Sequence, residues 1–167
     1  MKKFILFLCI IFSVMLYGCN TNVDKTNEVN KTESSQVIEG YIFINDNKVY
    51  VDRVEIIKDS DTERIEEIGI DNSDMPNGYY IYNPTFEQEE YNITNDTAYD
   101  FVDYNMYYIN EDKADGDRKY RTNNIDEFIK GSSYPEDIPL EEQTIPYIIE
   151  LQGNNVYSIT EEFLYTQ

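Results

Sequence analysis

A mainly β chain (a β-rich α+β fold), arranged as a small partly open barrel with two short helices, is the fold class this sequence predicts. Three observations predict it. Apolar and polar residues alternate at both ends of the region from Val37 to Gln167, the period of a half-buried strand. Tyrosine makes up 16 of the 167 residues, which suits strand surfaces that keep hydroxyls wet. Only two short stretches carry helix start and stop signals.

Val37 to Ile44 ends at the turn-forming Asn45-Asp46-Asn47, and Lys48 to Ile57 follows, so the pair reads as a β-hairpin. Gly40 inside the first strand marks a bend. In the second, apolar residues at Val49 and Val51 change phase to Val54 and Ile56, which predicts a bulge near Asp52-Arg53. Ser60-Asp61-Thr62-Glu63 is a capping box, Ile65 and Ile68 share a face, and Gly69 can stop the helix. A short helix over Asp61–Ile68 results. Asn77-Gly78 turns the chain into Tyr79-Tyr80-Ile81-Tyr82, ended by Pro84, with weaker strands over Glu90–Thr94 and Tyr99–Tyr108.

Asn110 to Asp117 reads as an acidic loop. Asn124 and Glu127 box a second helix over Ile125–Lys130, with Ile125, Phe128 and Ile129 inward and Gly131 as stop. Ile145, Tyr147, Ile149 and Leu151 then alternate through Gln152-Gly153-Asn154-Asn155 into Tyr157, Ile159 and Phe163, the clearest hairpin of the chain. Strands at both ends with two helices between them fit an open Greek-key barrel of the OB type.

The N-terminus carries a different signal. Lys2 and Lys3 precede an apolar run from Phe4 to Met15, broken only by Ser13, and Leu16-Tyr17-Gly18-Cys19 closes it. The run is too short for a spanning helix and reads as a secretory signal over 1–18. Its ending resembles the lipobox of bacterial lipoproteins, with Tyr17 at a position that is usually small. The resemblance implies cleavage before Cys19 and its linkage to diacylglycerol, with further acylation by palmitate or a similar chain. Two or more acyl chains hold a protein stably at a membrane, at about 0.8 kcal/mol per buried methylene. The expected location is therefore the extracytoplasmic face of the cell membrane. An ordinary cleaved signal, with Cys19 incidental, is the alternative.

Residues 19–36 follow as a polar tether too poor in apolar side chains to fold, with a reach of roughly 20–25 Å. Residues 37–167 then form one domain. Cys9 leaves with the signal and Cys19 is lipidated, so no disulfide is expected and packing alone must hold the core.

The formal charge is −20, and removing Lys2 and Lys3 takes it to −22. Such a surface repels nucleic-acid phosphates and anionic headgroups, so no nucleic-acid partner is expected and membrane contact falls to the lipid anchor. An envelope protein or a basic peptide fits better.

Val51–Ile57, Asp61–Ile70, the run Asp74-Met75-Pro76-Asn77-Gly78-Tyr79-Tyr80-Ile81-Tyr82-Asn83-Pro84 and Thr97–Asp103 together resemble a group of uncharacterised secreted and lipid-anchored proteins of Gram-positive bacteria. The resemblance implies an extracytoplasmic β-rich domain. It carries over no catalytic residue.

Histidine is absent, and no free cysteine remains after processing, so neither a Ser-His nor a Cys-His arrangement can be built. No Ser-x-x-Lys and no phosphate-binding glycine loop occurs. A non-enzymatic binding or scaffolding domain is the leading expectation, with a carboxylate-based hydrolase the least favoured. Calcium is the one cofactor the acidic loops could take, since it accepts carboxylate and amide oxygens. Asp59, Asp61 and Glu63 form one candidate cluster; Asp71, Asp74 and Asn77 a second; Asp112, Asp115 and Asp117 a third. None has EF-hand register; helix capping already explains the first, and solvated acidic loops are a plainer reading than a specific site. A calcium-dependent domain using Asp71, Asp74 and Asn77 is the alternative function. Tyr80 and Tyr82 share one strand face, where with Asp71 and Asp74 they could form an aromatic and acidic platform for a basic peptide or a sugar. Ordinary sheet filling is the plainer reading of both tyrosines.

Overall fold

The computed structural model describes residues 34–110 and 116–162. The expected signal segment, Cys19 and most of the tether lie outside these residues, as do Phe163 and the middle of the Asn110–Asp117 loop.

The first strand, β1, runs over Ser35–Asn45 and starts earlier than the pattern suggested. Ser35 and Gln36, expected in the tether, pair with Gln152 and Leu151. At Gly40 β1 changes partner. Ser35–Gly40 pair with β8 (Tyr147–Gln152), and Gly40–Asn45 pair with β2 (Lys48–Arg53). A Cβ at Gly40 would lie 2.5 Å from Val51 Cγ1 and 2.7 Å from the Asp52 carbonyl oxygen, so this close approach needs glycine.

The phase slip after Val51 is not a bulge. The chain leaves the sheet there: Val54 donates its N–H to the Glu39 carbonyl (3.0 Å), and β3 (Glu55–Lys58) begins a separate sheet with β4 (Tyr79–Tyr82). A change of sheet turns the side-chain faces over just as an extra residue would, so the two look alike in sequence.

The other strands are β5 (Gln88–Asn92), β6 (Ala98–Val102), β7 (Lys119–Thr122) and β9 (Asn155–Glu161). Five strands form a ring in the order β5-β2-β1-β8-β9. Taken as ring strands alone, this is first, second, third, fifth, fourth and back to first, the Greek-key crossing of the OB type. The ring is not a closed barrel. β9 gives only Asn155 to β5, opposite Asn92, and pairs Ser158–Thr160 with β6 instead. β6 and β7 thus occupy the edge along which full closure would run. Past Gly40, β1 has no strand on its second edge. There Gln143 mimics one: its Oε1 accepts the Ile42 N–H (3.3 Å) and its Nε2 donates to the Ile42 carbonyl (2.8 Å).

The helix α2 (Ile125–Gly131) lies between the third and fourth ring strands and brings Phe128 into the core. Its ring stacks on Tyr99 at 5.0 Å and meets Phe101 and Tyr147 edge-on. Ile38, Ile42, Val49, Val51, Ile149 and Ile159 complete the core.

Helix ends differ from expectation. In α1 (Thr62–Ile68) the cap is Asp61, not Ser60, and no side chain caps the first turn. Asp61 Oδ2 instead accepts the Lys58 N–H (2.9 Å), so the box is not made. Gly69 does close the helix, at φ +73°. In α2 Asn124 accepts the Asp126 N–H (3.0 Å), but Glu127 turns away to Tyr120 Oη and Thr122 Oγ1.

β5 sits two residues earlier than expected. β6 stops at Val102 because buried Asp103 wraps the chain, accepting the N–H groups of Tyr107, Tyr108 and Ile109 at 2.8–2.9 Å. β7 has no counterpart among the expected elements. In the final hairpin Leu151 faces Val156 while Glu150 faces Ser158, which leaves Tyr157 as the extra, exposed residue.

Candidate functional site

The segment from Val54 to Glu87 is an excursion between two neighbouring ring strands, β2 and β5. It carries nine Asp or Glu residues against Lys58 and Arg64. Only Ile57 and Met75 are buried within it, and α1 buries no residue at all.

Both ends are clamped. On the outgoing side Glu39 takes two N–H groups, that of Val54 on its carbonyl and that of Ile56 on Oε2 (3.2 Å). On the return, buried Asp52 accepts from Asn83 Nδ2 (2.7 Å) and from the Glu87 N–H (3.0 Å). The excursion is therefore held at its base by main-chain and side-chain groups of the ring.

Arg64 organises the helical side. It donates Nε to Glu55 Oε1 (2.9 Å) and Nη2 to Glu55 Oε2 (2.8 Å), and Nη1 reaches Glu67 (2.6 Å). Hydrogen bonds to these two carboxylates push its pKa up, so it stays charged throughout. Its guanidinium also lies 5.2 Å from the Tyr82 ring centroid. An open hollow of about 540 Å³ lies alongside, lined by Glu55, Asp61, Glu63, Glu67 and Arg64. Four carboxylates against one already paired cation make it a place for positive charge.

The loop residues singled out from sequence are committed locally. Asp71 Oδ1 accepts from Ser73 Oγ (2.5 Å) and from the Ser73 N–H (2.7 Å). These bonds hold its carboxyl below the usual range. Asp74 Oδ2 accepts the Asp71 N–H (3.0 Å). Asn77 precedes Gly78, whose φ of +79° turns the chain into β4. Tyr80 and Tyr82 are half-buried, and no hydrogen bond, ion pair or ring contact joins them to Asp71 or Asp74 among the described residues. Nor does any group of three acidic, histidine or cysteine side chains stand together as a metal site among those residues.

Sequence reasoning passed over Glu39, Asp52 and Arg64. Glu39 and Asp52 carry no local signal, since their partners are distant in the chain. Arg64 did have one: it is one of only two cations in a long acidic stretch.

No protein-family model, no curated protein and no solved structure matches this chain.

Proposed function

We propose that the chain is a membrane-anchored extracytoplasmic lipoprotein, lipidated at Cys19, whose folded domain is a non-enzymatic binding or scaffolding module for a basic partner. The observation that carries the binding half is the excursion. It is clamped to the ring at both ends, concentrates nine acids against two bases, and faces a hollow of carboxylates whose one cation is already paired. A charge arranged this way speeds encounter with a cationic surface and selects against anionic ones. The anchor half rests on the N-terminal sequence.

Two measurements test it. Binding of the full chain to oligolysine should weaken steeply with salt, and Glu63→Gln with Glu67→Gln should weaken it further, whereas the same binding to an excursion-neutral variant and to the native chain would overturn the reading. In a lipoprotein-processing host, label from fatty acid should enter the native protein and not Cys19→Ala; equal labelling would remove the anchor.

A further inference from the structure

We propose that the outer edge of β4 receives an extended, lysine- or arginine-bearing peptide as an added strand. This rests on the basic-partner reading and deepens it by naming the mode of recognition.

The small sheet has two long edges, and they are treated differently. On the β3 side, Val54 and Ile56 point their N–H groups away from β4, and Glu39 takes both. That edge is closed. The same geometry fixes what β4 shows. Asp59 donates to the carbonyl of Gly78 opposite it, so the pairs Ile57–Tyr80 and Glu55–Tyr82 exchange hydrogen bonds and the intervening pairs do not. Ile56 bonding to Glu39 agrees, because its partner across the sheet is Ile81. The N–H and C=O groups of Tyr79 and Ile81 therefore face outward, and β4 has no second strand neighbour among the described residues.

Exposed edges are ordinarily guarded by charge, proline or a covering segment. Elsewhere in this molecule they are. β7 carries Lys119 and Arg121, β5 carries Glu89 and Glu90, and the open stretch of β1 is covered by Gln143 and by Tyr134, whose Oη accepts the Ile44 N–H (2.8 Å). β4, with Tyr-Tyr-Ile-Tyr, carries no charge at all.

What fits there is set by the surroundings. The excursion is strongly acidic, so a second copy of it would meet like charge, while a cationic strand meets opposite charge. Side chains of an added strand would alternate beside the tyrosines, with lysine or arginine stems lying along their rings. Main-chain bonds then supply affinity, and the acidic rim selects the sequence.

The test uses the full chain and a decapeptide of alternating lysine and valine, together with the same peptide N-methylated at every residue, so that neither of its edges keeps an N–H. Methylation keeps charge and composition but blocks strand pairing. The plain peptide should bind about tenfold more tightly than the methylated one, the equivalent of one or two hydrogen bonds. It should slow amide exchange at Tyr79 and Ile81. Ile81→Pro removes an outward N–H while leaving the bonds to β3, and should abolish the difference between the two peptides. Equal binding of both peptides to the native chain, with exchange at Tyr79 and Ile81 unchanged, overturns the added strand and leaves the basic-partner reading intact. Binding of neither overturns both. A doubled mass in sedimentation that Ile81→Pro abolishes would make a second copy the occupant and overturn the peptide.

Discussion

The ring and the excursion are built on opposite terms. The ring keeps its aromatic side chains inside, with Tyr99, Phe101, Phe128 and Tyr147 almost wholly buried and in mutual contact. The excursion buries only Ile57 and Met75, and it spends its length on carboxylates and half-buried tyrosines. Local stability follows buried apolar contact, so the two should open separately, the excursion first. The molecule thus divides its labour: one part holds the fold, and the other presents charge at a fixed base.

The largest expected effect lies in the ring. Phe128→Ala removes the ring on which four other aromatic side chains pack, Tyr99, Phe101, Tyr134 and Tyr147, and should lower stability by about 3–5 kcal/mol in denaturant unfolding. Ile65→Ala in α1, a half-buried position, should lower it by only about 1 kcal/mol. Similar losses at both sites would erase the contrast. Next comes Gly131→Ala, whose Cβ would sit 2.5 Å from Phe101 Cε2 and 2.7 Å from Tyr108 Cε2. Overpacking of that kind should destabilise by about 1–3 kcal/mol.

Asp52→Ala sharpens the comparison, because Asp52 belongs to the ring but holds the excursion. Losing it leaves the Asn83 amide and the Glu87 N–H without an acceptor, a loss of about 1–3 kcal/mol. Amide exchange should quicken across residues 55–87 and stay unchanged in β8 and β9. Uniform quickening would mean that the excursion is not a separate unit.

The smallest effect is one of pH. Burial works against ionisation of Asp103, yet the N–H groups of Tyr108, Ile109 and Tyr107 outweigh it and hold the carboxyl below its usual range. A depressed carboxylate stabilises fully above its unfolded pKa and loses that contribution as pH falls through the folded value. Exchange protection at Tyr107–Ile109 should therefore persist at neutral pH and vanish in acid below the usual carboxylate range. Asp103→Ala, which has no acceptor there, should lack it at every pH.

Much of the ring was legible in the sequence, and much of the excursion was not. Period-two alternation located β1, β2, β8 and β9, and Asn124 located α2, because these signals act between near neighbours. Gly40 was marked as a bend, and it is where β1 changes partner; the close approach of Val51 and the Asp52 carbonyl that requires glycine there was not legible. The slip at Asp52-Arg53 was visible but ambiguous, since a bulge and a change of sheet reverse the faces alike. Ser60 failed as a cap because Asp61 offered its carboxylate to Lys58 and took the cap position itself. The clamps at Glu39 and Asp52 lay beyond reach: Asp52 meets Asn83 and Glu87 only once the ring has formed. Tyr80 and Tyr82 were rightly placed in a strand, but their sheet proved to be the small one, and the edge it leaves open has no signature in four residues.

The position of the excursion also decides how the protein responds to force. The chain enters the ring along β1 and leaves it for the excursion after Arg53, which lies opposite Gly40. A pull applied between Ser35 and a partner held on the excursion acts, once the Ser35–Gly40 pairs with β8 have parted, on one end of the β1–β2 hairpin. Its pairs, from Gly40–Arg53 to Asn45–Lys48, would part in succession like a zipper instead of shearing together. The connection is mechanically soft, and a pulling experiment across these two points should record low, stepwise forces while the β8–β9 hairpin stays whole.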